Sequence, residues 1–447
     1  MASSADQIAS NLNFGAFAKA TELKKRLWFT LGALIVYRLG TYIPIPGIDP
    51  VIIDDIFSQQ SGGILGVFDA FAGGALSRMS IFALNVIPYI SAAIIMQLMT
   101  AISPSMEQLK KEGESGRKKI NQYTRYLTVL LAIVQAYGLS AGLEGISTSQ
   151  GAAVADPGMF FRLSTVITIV GGTMFLMWLG EQITARGVGN GISLIIFAGI
   201  VANLPTAFAS TLELGRTGAL SALFIIGFLI FAVAVITAIV FFERAQRRII
   251  VQYPKRQVGN RMFGGESSHI PLKLNTSGVI PIIFATSILL TPVSIAGFSG
   301  GGGDGALGLI TAWIGRGQPL FFVLFAILIT FFSFFYTAIV FNPQETADNL
   351  KKNGGFVPGI RPGKNTAEFF DYVLTRLTMV GTAYLVGVAL LPELLITRFN
   401  VPFFFGGTSL LIVVVVSLDT VAQIQSHLLA HQYEGLIRKA KLKGRRG

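Results

Sequence analysis

A chain of 447 residues that is 52% hydrophobic and only 13% charged, with a mean hydropathy of +0.63, cannot present the surface of a water-soluble globule. Its 35 Lys and Arg outnumber 23 Asp and Glu, leaving a formal charge of +12, and it contains no cysteine. Disulfides, thiolate metal sites and cysteine nucleophiles are excluded, and the basic excess suits a large anionic partner or anionic lipid headgroups.

Residues 1–26 end in "KKR" and read as a segment outside the membrane. The apolar run at 27–42 is followed by "IPIPG", without a small-residue cleavage pattern, so it reads as a retained span. Then comes "GGILGVFDAFAGGALSRMS" (62–80), in which a short apolar stub at 64–72 carries one acid, Asp69, between two glycine pairs. As a helix it would be about 14 Å long, too short for a bilayer core that needs about 20 residues. Further apolar runs at 81–102, 127–143, 163–179, 191–208, 220–242, 279–298, 320–341, 372–391 and 403–418 bring the expected spans to ten.

An even number of spans puts both termini on one side. The N-terminus, the C-terminus and the loops near 103–126, 180–190, 243–278 and 342–371 carry 28 of the 35 Lys and Arg. The five intervening loops carry only Arg78, Arg162, Arg216, Arg316 and Arg398. Loops rich in Lys and Arg stay cytoplasmic, so both termini are expected inside.

Ten spans split into two fives at the short loop 211–219, and an odd number per half forces the second half to enter from the opposite side. Inverted repeats place their site at the midplane. "VIPYI" (86–90) in the second span matches "VIPII" (279–283) in the second span of the other half. Each has a proline breaking a long apolar run at a corresponding place, the pointer to a central pathway. The domain reading follows: an N-terminal segment 1–26, a first half 27–210, a second half 220–430 with loops 243–278 and 342–371, and a basic tail 431–447. In the loop 243–278, "RIIVQYPKRQ" and "HIPLKL" can pair as a basic hairpin; the loop 342–371 has a turn-forming centre at 354–363.

Ionisable groups at bilayer depth usually mark function, and here they are few. Arg38, Glu393 and Asp419 all lie close to span ends and can snorkel to an interface. No paired carboxylates or serine–histidine pair suggest an enzyme. His427 and His431 stand four apart but lack a third ligand, so no metal or other cofactor is expected. "GVGNG" (187–191) follows no strand and reads as a tight turn into a span rather than a nucleotide loop. The absence of a midplane acid speaks against an ion-coupled solute transporter. The midplane offers aliphatics instead, Val86 with Ile90 and Ile196 with Ile200, each pair one helical turn apart.

"GGALSRMSIFALNVIPYISAAIIMQLMT" (73–100), "KKEGESGRKKINQYTRY" (110–126), "GVGNGISLIIFAGIVANLP" (187–205), "GIRPGKNT" (359–366) and "FGGTSLLIVVVVSLD" (405–419) together resemble the SecY family of Sec translocase subunits, in order and spacing from about residue 15 onward. The resemblance implies an all-α membrane protein of ten transmembrane helices, in two inverted halves around an hourglass pore in the bacterial plasma (inner) membrane. It would pass unfolded polypeptides across and release apolar segments sideways, with no catalysis of its own. The stub becomes a plug over 62–74, with Ile64, Leu65, Val67, Phe68, Asp69 and Phe71 on it. Asp69 suits a funnel that fills with water on opening. The family's pore-ring positions fall on Val86, Ile90, Ile196, Ile200, Ile283 and Ile412. Ser91, Gln135 and Asn275 become polar contacts across a lateral gate formed by spans two and three with seven and eight. Arg244, Arg247, Arg248, Lys255, Arg256, Lys351, Lys352, Arg361 and Tyr433 become the docking positions for the motor ATPase SecA or the ribosome. SecE, SecG, signal peptides and nascent chains are implied as partners, with SecDF and YidC beyond them and the lipid bilayer around.

Overall fold

The computed structural model describes residues 20–49, 52–53, 69, 71–145, 147–148, 151–218, 221–253, 256–258, 261–263, 267–298, 318–399 and 407–443. Each of the ten expected spans is represented by a helix. The first half contains α1 (Thr21–Gly40), α2 (Ile87–Ile102), a short α3 (Pro104–Lys111), α4 (Glu114–Glu144), α5 (Met159–Arg186) and α6 (Gly191–Arg216). The second half contains α7 (Ala222–Arg244), α8 (Ile280–Phe298), α9 (Pro319–Val340), a short α10 (Pro343–Lys352), α11 (Lys364–Phe399) and α12 (Gly407–Lys443).

Among the described residues, seven helices are long and apolar enough to cross a membrane unaided, and α2 with α3 makes an eighth if that pair, bent by 98°, counts as one span. The bend falls at Ser103, held extended (φ −94°, ψ 118°) by the proline that follows. α1 misses that count because Glu22, Lys24, Lys25, Arg26 and Arg38 dilute its apolar run, and the described apolar part of α8 is short. Several helices outrun the bilayer: α12 has 37 residues, about 55 Å at 1.5 Å per residue.

The second span starts later than its hydropathy suggests. Residues 81–86 form turns, and α2 begins only at Ile87, with Pro88 in its first turn where a missing N–H costs nothing. Pro281 likewise follows the first residue of α8. The two prolines therefore start their helices rather than break them, and they do so at matching places. Helix packing repeats as well. In the first half α2 packs on α4, α4 on α5, α5 on α6, and α1 on both α5 and α6. In the second, α8 packs on α9, α9 on α11, α11 on α12, and α7 on both α11 and α12. Five crossings per half make the two units antiparallel to each other. They meet along two seams: α2 and α4 against α8, and α6 against α7 and α12, with α1 also on α12.

Two loops build a second, smaller core. Besides the short pair β1 (Ser147–Thr148) and β2 (Gly151–Ala152) before α5, β3 (Gln246–Gln252) and β6 (Ser267–Lys273) pair antiparallel from Gln246↔Lys273 to Gln252↔Ser267, as the sequence suggested, and β4 (Arg256–Val258) with β5 (Arg261–Phe263) extends the hairpin. Gln252 and Phe356 exchange backbone hydrogen bonds of 2.9 and 3.0 Å, tying the hairpin to the next long loop. Ile249, Val251 and Leu272 then pack with Ala347 and Leu350 of α10 and Phe370 and Leu374 of α11. The two loops are one folded module.

The "GVGNG" turn is structural, as expected. Asn190 Oδ1 caps α6 by accepting from Ile192 and Ser193 amides at 3.1 and 3.3 Å. Gly189 sits at φ +90° and donates its N–H to Gln423 Oε1 of α12 at 2.9 Å. A Cβ on Gly191 would collide with the Gly180 carbonyl.

Candidate functional site

The six ring positions come from both halves: Val86 at the N-cap of α2, Ile90 one turn on, Ile196 and Ile200 on α6, Ile283 on α8 and Ile412 on α12. All are buried, none more than 9% exposed, and all belong to one apolar core. Val86, Ile90, Ile196 and Ile283 face a common small cavity, completed by Phe71, Asn85, Ile87, Thr286 and Ser287. The lining is mostly apolar and draws on both halves of the chain. Phe71 belongs to the stub, so its C-terminal end touches the ring.

Ile64, Leu65, Val67 and Phe68 lie outside the described residues; Asp69 and Phe71 lie within them. The described end of the stub stops at two left-handed glycines, Gly73 (φ +69°) and Gly74 (φ +80°), a conformation that side chains resist. Gly73 also lies against Gly199 of α6, where an added Cβ would come within 2.8 Å of the Gly199 Cα. Side-chain hydrogen bonds hold the backbone on both sides of these glycines. Asn85 Nδ2 donates to the Phe71 carbonyl (2.7 Å), the Tyr37 hydroxyl to Ala72 (3.2 Å) and Arg38 to Gly73 (2.6 Å). Asp69 Oδ1 accepts from the amides of Leu76 (3.0 Å) and Ser77 (2.8 Å). In this state Asp69 caps the next turn, where two orphan backbone donors need an acceptor. Arg38 does not simply snorkel, since it grips the hinge. Asn85, at φ +49° beside the ring, was missed because it sits in an apolar stretch that reads as helix.

At the first seam Ser91 lies on α2 and Gln135 on α4. Ser91 Oγ and Gln135 Oε1 are buried without a hydrogen-bond partner among the described residues. Asn275 is placed differently. Its amide donates to Glu243 Oε1 (2.7 Å) and the Gly278 carbonyl (3.1 Å), and its Oδ1 accepts from Ser277 Oγ (2.9 Å). Its side-chain bonds thus stay within the second half, on an acid at the end of α7. Glu243 escaped the sequence reading because "ER" was counted into the loop. Asp419 on α12 is exposed, and the side chain of Glu393 lies outside the described residues.

Arg361 stands exposed on the turn of the loop module, between left-handed Gly359 and Gly363 (φ +81° and +106°). Its carbonyl accepts from Thr366 Oγ1 at 2.9 Å, which ties the turn to the first residues of α11. Arg244, Arg247, Arg248, Lys351 and Lys352 are exposed on the same module. Lys255 lies outside the described residues; the backbones of Arg256 in β4 and Tyr433 in α12 are described, their side chains are not. His427 is exposed on α12, and no group of three potential metal ligands occurs among the described residues.

The SecY family profile matches residues 80–421. The protein translocase subunit SecY of Rickettsia conorii is 56% identical over 422 residues, covering 94% of this chain and 97% of the relative. A solved structure in which the plug domain of SecY stabilises the closed state of the translocation channel and maintains a membrane seal has a TM-score of 0.64 at 18% identity, covering 91% of this chain and 92% of that one. Sec61 in the canine ribosome–channel complex from the endoplasmic reticulum has a TM-score of 0.62 at 17% identity, with the same coverage. The fold is that of these channels, and at this identity and coverage the chain belongs to the SecY family of protein translocase subunits.

Proposed function

We propose that this multi-pass membrane protein is the channel subunit of a bacterial Sec translocase. It passes unfolded polypeptides through the apolar ring and releases apolar segments between α2, α4 and α8. The observation that carries the reading is the small cavity shared by Val86, Ile90, Ile196 and Ile283 with Phe71 of the stub: an apolar iris from both halves with a hinged segment seated in it. Flexible aliphatic side chains can part around a chain that rigid polar ones would hold. The termini and the loop module face the cytoplasm of the inner membrane, where their charge meets SecA or ribosomal RNA. SecE and SecG complete the complex, signal peptides open it, and SecDF and YidC join from the membrane.

Deleting residues 64–72 tests the seal. The deletion removes Phe71 and the carbonyls that Asn85 and Tyr37 hold. Vesicles containing the deleted channel, its partners and SecA should still protect a secretory precursor from added protease, while single-channel recordings show resting ion current well above the parent. A resting state as tight as the parent's would remove the stub from the seal, and loss of protection by the parent itself would refute the channel.

A further inference from the structure

The end of α1 remote from residue 20 holds two guanidiniums on one phenol ring. Arg38 Cζ stands 4.9 Å from the Tyr42 ring centroid and Arg78 Cζ 4.4 Å, and Arg38 Nη2 donates to the Tyr42 hydroxyl at 2.9 Å. Both also grip the hinge of the stub: Arg38 Nη1 donates to Gly73 O at 2.6 Å and Arg78 Nη1 to Gly74 O at 3.3 Å. Each guanidinium has five N–H donors, so most of them are left over. Two cations on one ring repel, yet among the described residues neither has a carboxylate within ion-pair distance. Asp69, the acid whose field reaches Arg78, already accepts at Oδ1 from two backbone amides.

The surroundings are apolar and open. Leu39, Tyr42 and Ile43 are each more than half exposed, at the point where α1 ends at Gly40. Cations and an aromatic ring at a span end, beside exposed aliphatics, match the boundary between headgroups and acyl chains. The missing component is an anion with an apolar body.

We propose that Arg38, Arg78 and Tyr42 form a headgroup site for an anionic phospholipid. The phosphate accepts from both guanidiniums and the acyl chains run along Leu39 and Ile43. Guanidinium forks suit a phosphate's paired oxygens. Because the same side chains hold Gly73 and Gly74, the bound lipid neutralises the pair where it braces the hinge, and lipid composition bears on how firmly the stub is seated. The site requires only that α1 crosses the bilayer, so its failure would leave the channel reading standing.

The test uses the full chain with its membrane partners in vesicles of phosphatidylcholine doped with a phosphatidylglycerol bearing a photoreactive headgroup, with adducts mapped by peptide mass spectrometry. Adducts are expected at Leu39, Tyr42 and Ile43. With about 1 kcal/mol of attraction per basic residue, Arg38→Gln with Arg78→Gln should lower them roughly thirtyfold, leaving adducts elsewhere unchanged. Arg78→Gln alone keeps the Arg38 grip on Gly73 and should lower them about fivefold, which guards against a misfolded double variant. Equal labelling of the parent and Arg78→Gln would overturn the proposal. So would equal labelling by a phosphatidylcholine carrying the same photoreactive group, or protection of these residues by a partner subunit. Competition by millimolar inorganic phosphate would show a free-anion site and also overturn it.

Discussion

Replacing Ile90, Ile196 and Ile283 together by serine should make the resting membrane leak ions. The three side chains reach one cavity from α2, α6 and α8, two from the first half and one from the second, so no single helix can compensate by shifting. Burying an isoleucine side chain contributes about 2 kcal/mol, and each substitution withdraws much of that from the closed ring. Even one such loss lowers a closed-to-open ratio more than tenfold. Hydroxyls also hydrate the constriction and abolish the dewetting barrier. Single-channel recording should show frequent resting openings, with abundance in the membrane checked by immunoblot. A triple variant as silent as the parent would show that the barrier lies elsewhere.

Reversing the charge at Arg361 should cripple motor-driven export. The side chain is exposed on a turn whose backbone is fixed by Pro358, Pro362, two left-handed glycines and the Thr366 bond to its carbonyl. It is therefore presented in one place, while the module's core, Ile249 to Leu374, does not use it. Arg361→Glu should fold and insert normally. Losing one partner of a desolvated charge pair costs about 2–5 kcal/mol, which is a weakening of SecA engagement by at least roughly thirtyfold. Ribosome binding, spread over many phosphate contacts, should fall much less. Protease protection of a precursor with SecA and ATP measures the first effect, and co-sedimentation with ribosomes the second. Normal export by Arg361→Glu would remove this arginine from the docking surface.

The spans were legible because hydropathy reports burial in lipid, and the β3–β6 hairpin because its two segments are close in sequence and alternate. Position 81 was a poor guide to the start of α2 for the same reason. Residues 81–86 are apolar because protein buries them, and hydropathy cannot distinguish irregular backbone sheltered by protein from a helix sheltered by lipid. The repeat was visible in "VIPYI" and "VIPII", although their prolines turned out to begin helices. Less legible were the contacts made across long separations. Arg38 reaches Gly73, Asn275 reaches Glu243, and Gln252 pairs with Phe356. None of these repeats with a helical or strand period, and each polar partner looks like a solvated charge or a loop amide when read alone. Asp69 is a further case: its bonds to two backbone amides in the following turn are not announced by its charge alone.

The absence of cysteine from the chain makes the path itself directly measurable, because any thiol introduced is the only one present. Ile90→Cys, Ile196→Cys and Ile283→Cys can be made one at a time, with the exposed positions Leu31 and Ile226 as controls. A secretory precursor carrying one cysteine is then stalled halfway in vesicles and oxidised. Disulfide adducts to the precursor at all three ring positions and none at Leu31→Cys or Ile226→Cys is the expected result. Adducts at the controls with none at the ring, in variants that still protect the precursor, would contradict a path through the centre of the molecule.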